Sequence, residues 1–112
     1  MRAERILMKP PERFMKSTYK IIWSDEAINS LKDIIEYLEN RWTRKEIENF
    51  AALLDKQLEL IASNPHLFPK GSQSKNIRKS VLTRQTSIYY YIKEKEVHVI
   101  SLFDNRKRPG KF

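Results

Sequence analysis

No cysteine occurs in the chain, which excludes a disulfide framework, a thiolate zinc site and a cysteine nucleophile, and which suits a reducing compartment. Glycine is nearly as scarce. Gly71 and Gly110 alone cannot build a phosphate-cradling loop of the GxxxxGK or GxGxxG kind, so neither a nucleoside triphosphate nor a dinucleotide cofactor is expected. Long apolar runs are missing too: none approaches the ~20 residues that span a bilayer, and residues 1–18 lack the apolar core of a secretory signal. These absences predict a soluble intracellular protein without membrane contact, placed in the cytoplasm. With 112 residues the chain fits one domain. Such a domain buries roughly 60–70% of its unfolded surface, so function is expected on a surface or in a shallow groove rather than between domains.

What the sequence does have is positive charge, unevenly placed. Twenty-two Lys and Arg oppose fourteen Asp and Glu, a net +8. Residues 1–18 carry five basic and two acidic side chains, residues 24–64 five against nine, and residues 65–112 eleven against three. An acidic middle and a basic final third predict two electrically distinct sides, with a polyanion as the natural partner of the basic one.

Charges and the pair Pro10-Pro11 dominate residues 1–18, and no apolar period begins before Tyr19, so this segment is expected to be a flexible arm, with the domain proper over 19–112. Met15, followed by Lys-Ser-Thr and then the first strand, is the expected biological start. Tyr19–Trp23 (YKIIW) has the aromatic and β-branched character of a strand, and Ser24 followed by Asp25-Glu26 marks a helix start. Ala27, Leu31, Ile34, Ile35, Leu38 and Trp42 then recur at three- and four-residue steps. Thr43 and Glu46 form a capping box that opens a second stripe of Ile47, Phe50, Ala51, Leu54, Leu58 and Ile61, closed by Asn64-Pro65. Two helices separated by little more than a cap predict an antiparallel hairpin.

Residues 65–76 (PHLFPKGSQSKN) read as a loop whose Leu67-Phe68 is expected to plug the end of the core. Ile77–Thr83, Ser87–Ile92 and Val97–Phe103 follow as β-rich runs spaced for an antiparallel meander. The order β-α-α-β-β-β predicts an α+β fold in which a helical hairpin covers one face of a four-stranded, mainly antiparallel sheet and leaves the other face bare.

WSDEAINSLKDIIEYL, a capped helix ending in LELIASNPHLFPKG, and then NIRKSV, SIYYYI and VHVISLFDNRKRP stand in the order and spacing of the RelE/ParE superfamily of type II toxin–antitoxin toxins, also called plasmid stabilisation proteins. The resemblance covers about residues 19–109. It implies a bacterial toxin held inactive by a cognate antitoxin, and one of two targets. ParE-like members inhibit DNA gyrase, whereas RelE-like members are mRNA interferases that cleave messenger RNA on the ribosome without a metal. No cofactor and no metal are implied. A homodimer, or a heterotetramer with the antitoxin, is compatible with the family.

Metal-free RNA cleavage needs a base for the 2′-hydroxyl, an acid for the 5′-oxygen and positive charge at phosphorus. Arg78 and Arg106 match the family's basic positions and are candidates to clamp the phosphate; Lys79, Arg84, Lys107 and Arg108 would extend a phosphate track or contact a protein target. Tyr89 and Tyr91 share a strand face by the two-residue period, either is placed to stack on a base or act as an acid, and Tyr91 is the candidate catalytic residue. The bland readings are a solvated strand arginine, tyrosines that only pack, and His66 as a surface residue. His98 points away from Val97 and Val99 and is placed beside the basic face.

One departure from the family stands out: Asp104 occupies a position, two before the terminal Arg106, where many relatives carry His. An Asp is a poor acid at neutral pH, though it could hold Arg106 by an ion pair. The sequence also ends at Phe112, without the helix on which some ribosome-dependent relatives carry a tyrosine. Both features tilt the expectation toward a ParE-like toxin that binds rather than cleaves, with a RelE-like endoribonuclease as the alternative and catalysis left open. A remnant that only autoregulates with its antitoxin is a third, weaker reading. The antitoxin is expected to present an acidic, partly disordered segment that competes for Arg78 and Arg106.

Overall fold

Ser24 and Thr43 start the two helices as their spacing predicts. In the computed structural model, which describes residues 18–71 and 76–105, β1 (Lys20–Trp23) leads through Ser24 into α1 (Asp25–Glu39). Ser24 Oγ accepts from the Ala27 amide at 3.0 Å, satisfying one of the orphan donors of the first turn. At α2 (Arg44–Ser63) the capping box is complete: Thr43 Oγ1 accepts from the Glu46 amide, and Glu46 Oε1 accepts from the Thr43 amide. The arm expected over residues 1–18 lies, Thr18 apart, outside the described residues, as do Arg106, Lys107 and Arg108.

Both helices turn their apolar stripes inward. Ala27, Leu31, Ile34, Ile35 and Leu38 of α1 and Ile47, Phe50, Leu54, Leu58 and Ile61 of α2 are buried, with Trp23 and Trp42 packed at the margin. Each large aliphatic side chain so removed from water stabilises the fold by roughly 1.5–3 kcal/mol. The sheet supplies the other half of this core. Thr86, Ile88 and Tyr90 of β3 (Thr86–Lys93) and Val97, Val99 and Leu102 of β4 (Glu96–Asp104) face the helices.

Strand order is β1-β4-β3-β2, with β2 spanning Arg78–Val81. The last three strands form the expected antiparallel meander, while β1 pairs with β4 in parallel, because the helices carry the chain to the far edge before the meander returns. Two expectations need correcting. β2 stops at Val81, since Leu82 and Thr83 donate their amides to Thr86 O in the tight connection to β3. Phe68 packs against the core as expected, but Leu67 does not plug it: at 63% exposure it points into solvent from a short 3-10 turn, Pro65–Leu67.

Register in the β3–β4 hairpin follows from its two-residue turn, Glu94-Lys95, which sets Lys93 against Glu96 and Tyr91 against His98. Further along, Tyr90 pairs with Val99 but Tyr89 with Ser101, so Ile100 is the extra residue of a β-bulge in β4.

Candidate target-binding face

Alternation along the strands decides what the sheet shows on the side away from the helices. With Thr86, Ile88 and Tyr90 turned inward, Ser87, Tyr89 and Tyr91 of β3 turn outward. The register then sets Lys79 beside Tyr89, Val81 beside Ser87, Phe103 across from Ser87, and Ile22 beside His98. Lys20, Glu96 and Lys93 form the row at the hairpin end. The bare face is therefore an aromatic strip with lysines at its margins.

Its best-defined feature is a stacked pair. The rings of Tyr91 and His98 lie 4.8 Å apart between centroids and within 3° of parallel. His98 Nε2 stands 2.9 Å from Glu96 Oε1, a hydrogen bond that orients the imidazole from its outer edge. Two residues apart on one strand face, Glu96 and His98 reach each other without any contribution from the helices.

Arg78 stands elsewhere. It pairs with the buried Tyr90, and so shares the helix side of the sheet, opposite to Lys79 and Tyr91. Its Nη1 donates to the carbonyl of Phe68 at 2.6 Å and more weakly to that of His66 at 3.4 Å. The Tyr90 hydroxyl donates to the carbonyl of Pro65 at 2.6 Å. Three carbonyls of the turn that follows α2, those of Pro65, His66 and Phe68, are thus held by two side chains of the sheet, which tie this turn to β2 and β3. Burial pushes the Tyr90 phenol up to about 12, with the Arg78 guanidinium pulling the other way, so Tyr90 is a fixed donor near neutral pH.

Asp104 is buried on the same inner side, where its Oδ2 accepts from Thr86 Oγ1 at 2.8 Å. Arg84 is exposed in the β2–β3 connection. Of the residues singled out from the sequence, the fold thus gathers Lys79, Tyr91 and His98 on the bare face and turns Arg78 and Asp104 away from it. His66 is a surface residue whose ring meets Tyr19 edge-on at 6.3 Å. Glu96, Lys93 and Lys20 were not singled out, although the two-residue turn and the strand period together would have aligned them with Tyr91 and His98. Among the described residues, no group of three or more His, Asp or Glu side chains could hold a metal ion, and no helix is long and apolar enough to cross a membrane.

A two-helix hairpin over one face of an open β1-β4-β3-β2 sheet is the architecture of the RelE/ParE toxins. Solved structures with this fold include the chromosomal ParDE system of P. aeruginosa, with a TM-score of 0.68 and 14% identity over 80% of this chain and 98% of that one. The E. coli DinJ-YafQ toxin–antitoxin complex has a TM-score of 0.54 at 14% identity, covering 83% and 99%. The YoeB dimer of Staphylococcus aureus has a TM-score of 0.52 at 14% identity, covering 77% and 95%. No protein among the curated ones matches by sequence. The family model for the ParE toxin of type II toxin–antitoxin systems, parDE, matches residues 21–109. The chain belongs to that family and is a type II toxin of the RelE/ParE superfamily.

Proposed function

We propose that this toxin acts in the ParE-like manner: it binds DNA gyrase through the bare sheet face, blocks growth without cutting nucleic acid, and is neutralised by a cognate antitoxin that covers the same face. The observation that carries this reading is the inward turn of Arg78. Its guanidinium is committed to two main-chain carbonyls on the opposite side of the sheet from Tyr91 and His98. Among the described residues, the phosphate clamp and the acid–base candidates therefore do not converge on one point, as in-line phosphoryl chemistry requires. A surface of Tyr89, Tyr91, His98, Lys79 and Lys93 instead has the aromatic centre and polar rim of a protein-binding patch. The antitoxin is then an extended acidic segment that pairs with Lys79, Lys93 and Lys20, with Arg106, Lys107 and Arg108 as further contacts in the proposal.

The RelE-like reading draws on a different observation, the Glu96–His98–Tyr91 cluster, in which a carboxylate-oriented imidazole lies against a phenol on a cationic face. In that reading Arg106 clamps the phosphate and Tyr91 or His98 moves the proton.

Induced expression separates the two. DNA breaks with intact messages, lost in Lys79→Glu, support gyrase poisoning; mapped cleavages in cellular messages, abolished by Arg106→Ala, overturn it in favour of the nuclease.

A further inference from the structure

The bulge in β4 is held from outside its sheet. Opposite the Tyr89/Tyr90 step, Ile100 is inserted between Val99 and Ser101. Beyond Val99, β4 also has no strand neighbour among the described residues on its β1 side, because β1 pairing ends at Trp23 and the chain turns into α1. Groups of the bulged segment that point that way need partners from outside the sheet. Ser24, the N-cap of α1, and Ser30, in its second turn, take up a group of the bulge residue itself and one just beyond it. Ser24 Oγ donates to the Ile100 carbonyl at 2.9 Å, and the Leu102 amide donates to Ser30 Oγ at 3.1 Å. The Ser24 amide also donates to Val99 O at 3.2 Å. Neither hydroxyl is spent on one role: Ser24 Oγ also caps α1 by accepting from Ala27, and Ser30 Oγ, while accepting from Leu102, donates back to the Glu26 carbonyl at 2.8 Å.

Side-chain direction in a strand has a period of two, so one inserted residue decides which members of the following segment face which side. Val97 and Val99 are buried ahead of the bulge, Leu102 and Asp104 after it. If the same residues ran as a regular strand, with Ile100 taking a ladder position of its own, Ser101 and Phe103 would fall in step with Val97 and Val99, and Leu102 and Asp104 would face outward. The aromatic strip of the bare face would then end in a leucine and a carboxylate instead of Ser101 and Phe103.

We infer that Ser24 and Ser30 are positioning residues of the toxin: by pinning the bulge from α1 they keep Ser101 and Phe103 on the bare face and hold Asp104 off it. The functional half of this inference rests on the bare face being the working surface.

The test uses the full chain. In Ser30→Ala the Leu102 amide should exchange with solvent about tenfold faster, the size expected for one lost hydrogen bond, while the Val97 and Val99 amides keep their protection. Growth inhibition should fall several-fold at equal folded protein, and Ser30→Thr, which keeps a hydroxyl, should restore both. Ser24→Asn, which retains a capping oxygen and an N–H donor, should be milder than Ser24→Ala. Unchanged exchange at Leu102 would overturn the inference, and so would faster exchange with full toxicity while Tyr91→Ala is inactive. If Tyr91→Ala and Lys79→Glu both stay fully toxic, the bare face is not the working surface; the functional half of the inference then falls with that reading, and the exchange result still decides the pinning of the bulge. Equal acceleration at Leu102, Val97 and Val99 would mean general loosening and would equally count against a positioning role.

Discussion

The two faces of the sheet are built from the same strands by different rules. On the helix side, Ile88, Tyr90, Val97, Val99 and Leu102 are buried with α1 and α2 over them, and the polar groups there are matched: Gln57 Nε2 donates to Ser80 Oγ at 2.7 Å and Thr86 Oγ1 to Asp104. On the bare side, no element of the described chain covers Lys79, Val81, Tyr91 and His98, and Val81 is 59% exposed. Contacts there are between strand neighbours, such as Tyr91 with His98. Stability is thus concentrated on one side, which leaves the other free to be shaped by what it binds.

Adjacent residues test this division directly. Tyr90 and Tyr91 are neighbours of the same type on opposite faces. Tyr90→Ala should destabilise the fold by about 3–5 kcal/mol, as for other large aromatics deleted from cores, whereas Tyr91→Ala should cost less than about 1 kcal/mol. In urea, Tyr90→Ala should shift the unfolding midpoint far down and Tyr91→Ala hardly at all, while growth inhibition should be lost in Tyr91→Ala despite its folding. Comparable destabilisation by both would break the contrast.

Alkaline titration sharpens it next. Because burial raises the Tyr90 phenol from 10.0 to about 12, the folded state holds its proton where the unfolded chain has released it. The unfolded state therefore binds fewer protons between these values, and stability falls as pH rises. This contribution is fully present below pH ~10, is lost by pH ~12, and amounts to roughly 3 kcal/mol at most. Measured as the difference between the parent and Tyr90→Phe, which removes the background from other lysines and tyrosines, the extra slope should appear only above pH ~10. A difference independent of pH would show that the phenol is not held in a low-dielectric site.

Arg78 and Lys79 form the second neighbouring pair. Removing Arg78 leaves the Phe68 and His66 carbonyls without a charged donor, so Arg78→Ala should cost about 1–3 kcal/mol and loosen the turn after α2. Lys79→Ala should stay within about 0.5 kcal/mol of the parent. Growth inhibition should respond the other way round: abolished in Lys79→Glu, and reduced in Arg78→Ala only in proportion to the folded protein lost. Full loss of toxicity in Arg78→Ala at undiminished stability would restore Arg78 to a direct role.

The helix side was also the legible side. Two stripes at helical spacing, each opened by a cap, can arise in few other ways, and both caps and all the buried helix residues but Ala62 follow from that pattern. Trp42 and Ala51, expected in the stripes, are only half-buried. The bare face was half legible. Tyr89 and Tyr91 shared a face by period alone, and His98 fell opposite to Val97 and Val99. The orientation of β2 was ambiguous because Val81 and Leu82 are both apolar and adjacent; the pairing of Arg78 with buried Tyr90 and the burial of Ser80 and Leu82 assign Arg78 to the inner side. The inward burial of Asp104 was not legible for another reason. A bulge adds one residue to an otherwise regular alternation without any composition signal at Ile100, so the side to which Asp104 points cannot be counted from Val97. Family resemblance identified the positions of Arg78 and Arg106 but carried no information on where a side chain is already engaged.

The smallest effect concerns the turn that aligns the bare face. Glu94 has φ 56°, in the left-handed region where a Cβ crowds the following carbonyl, at a cost of about 1–2 kcal/mol for a residue other than glycine. Glycine removes that crowding but loses more freedom on folding, so Glu94→Gly should stabilise the protein by only about 0.5 kcal/mol, read as a small rise in the urea midpoint. The register of Tyr91 against His98 depends on this turn remaining two residues long, not on the identity of Glu94. Growth inhibition by Glu94→Gly should therefore equal that of the parent. An insertion of one glycine after Glu94 should separate the pair and weaken the toxin, although it leaves every residue on the helix side unchanged. A toxin that tolerates the insertion would place its working surface away from the hairpin end, toward Lys79, Val81 and Phe103.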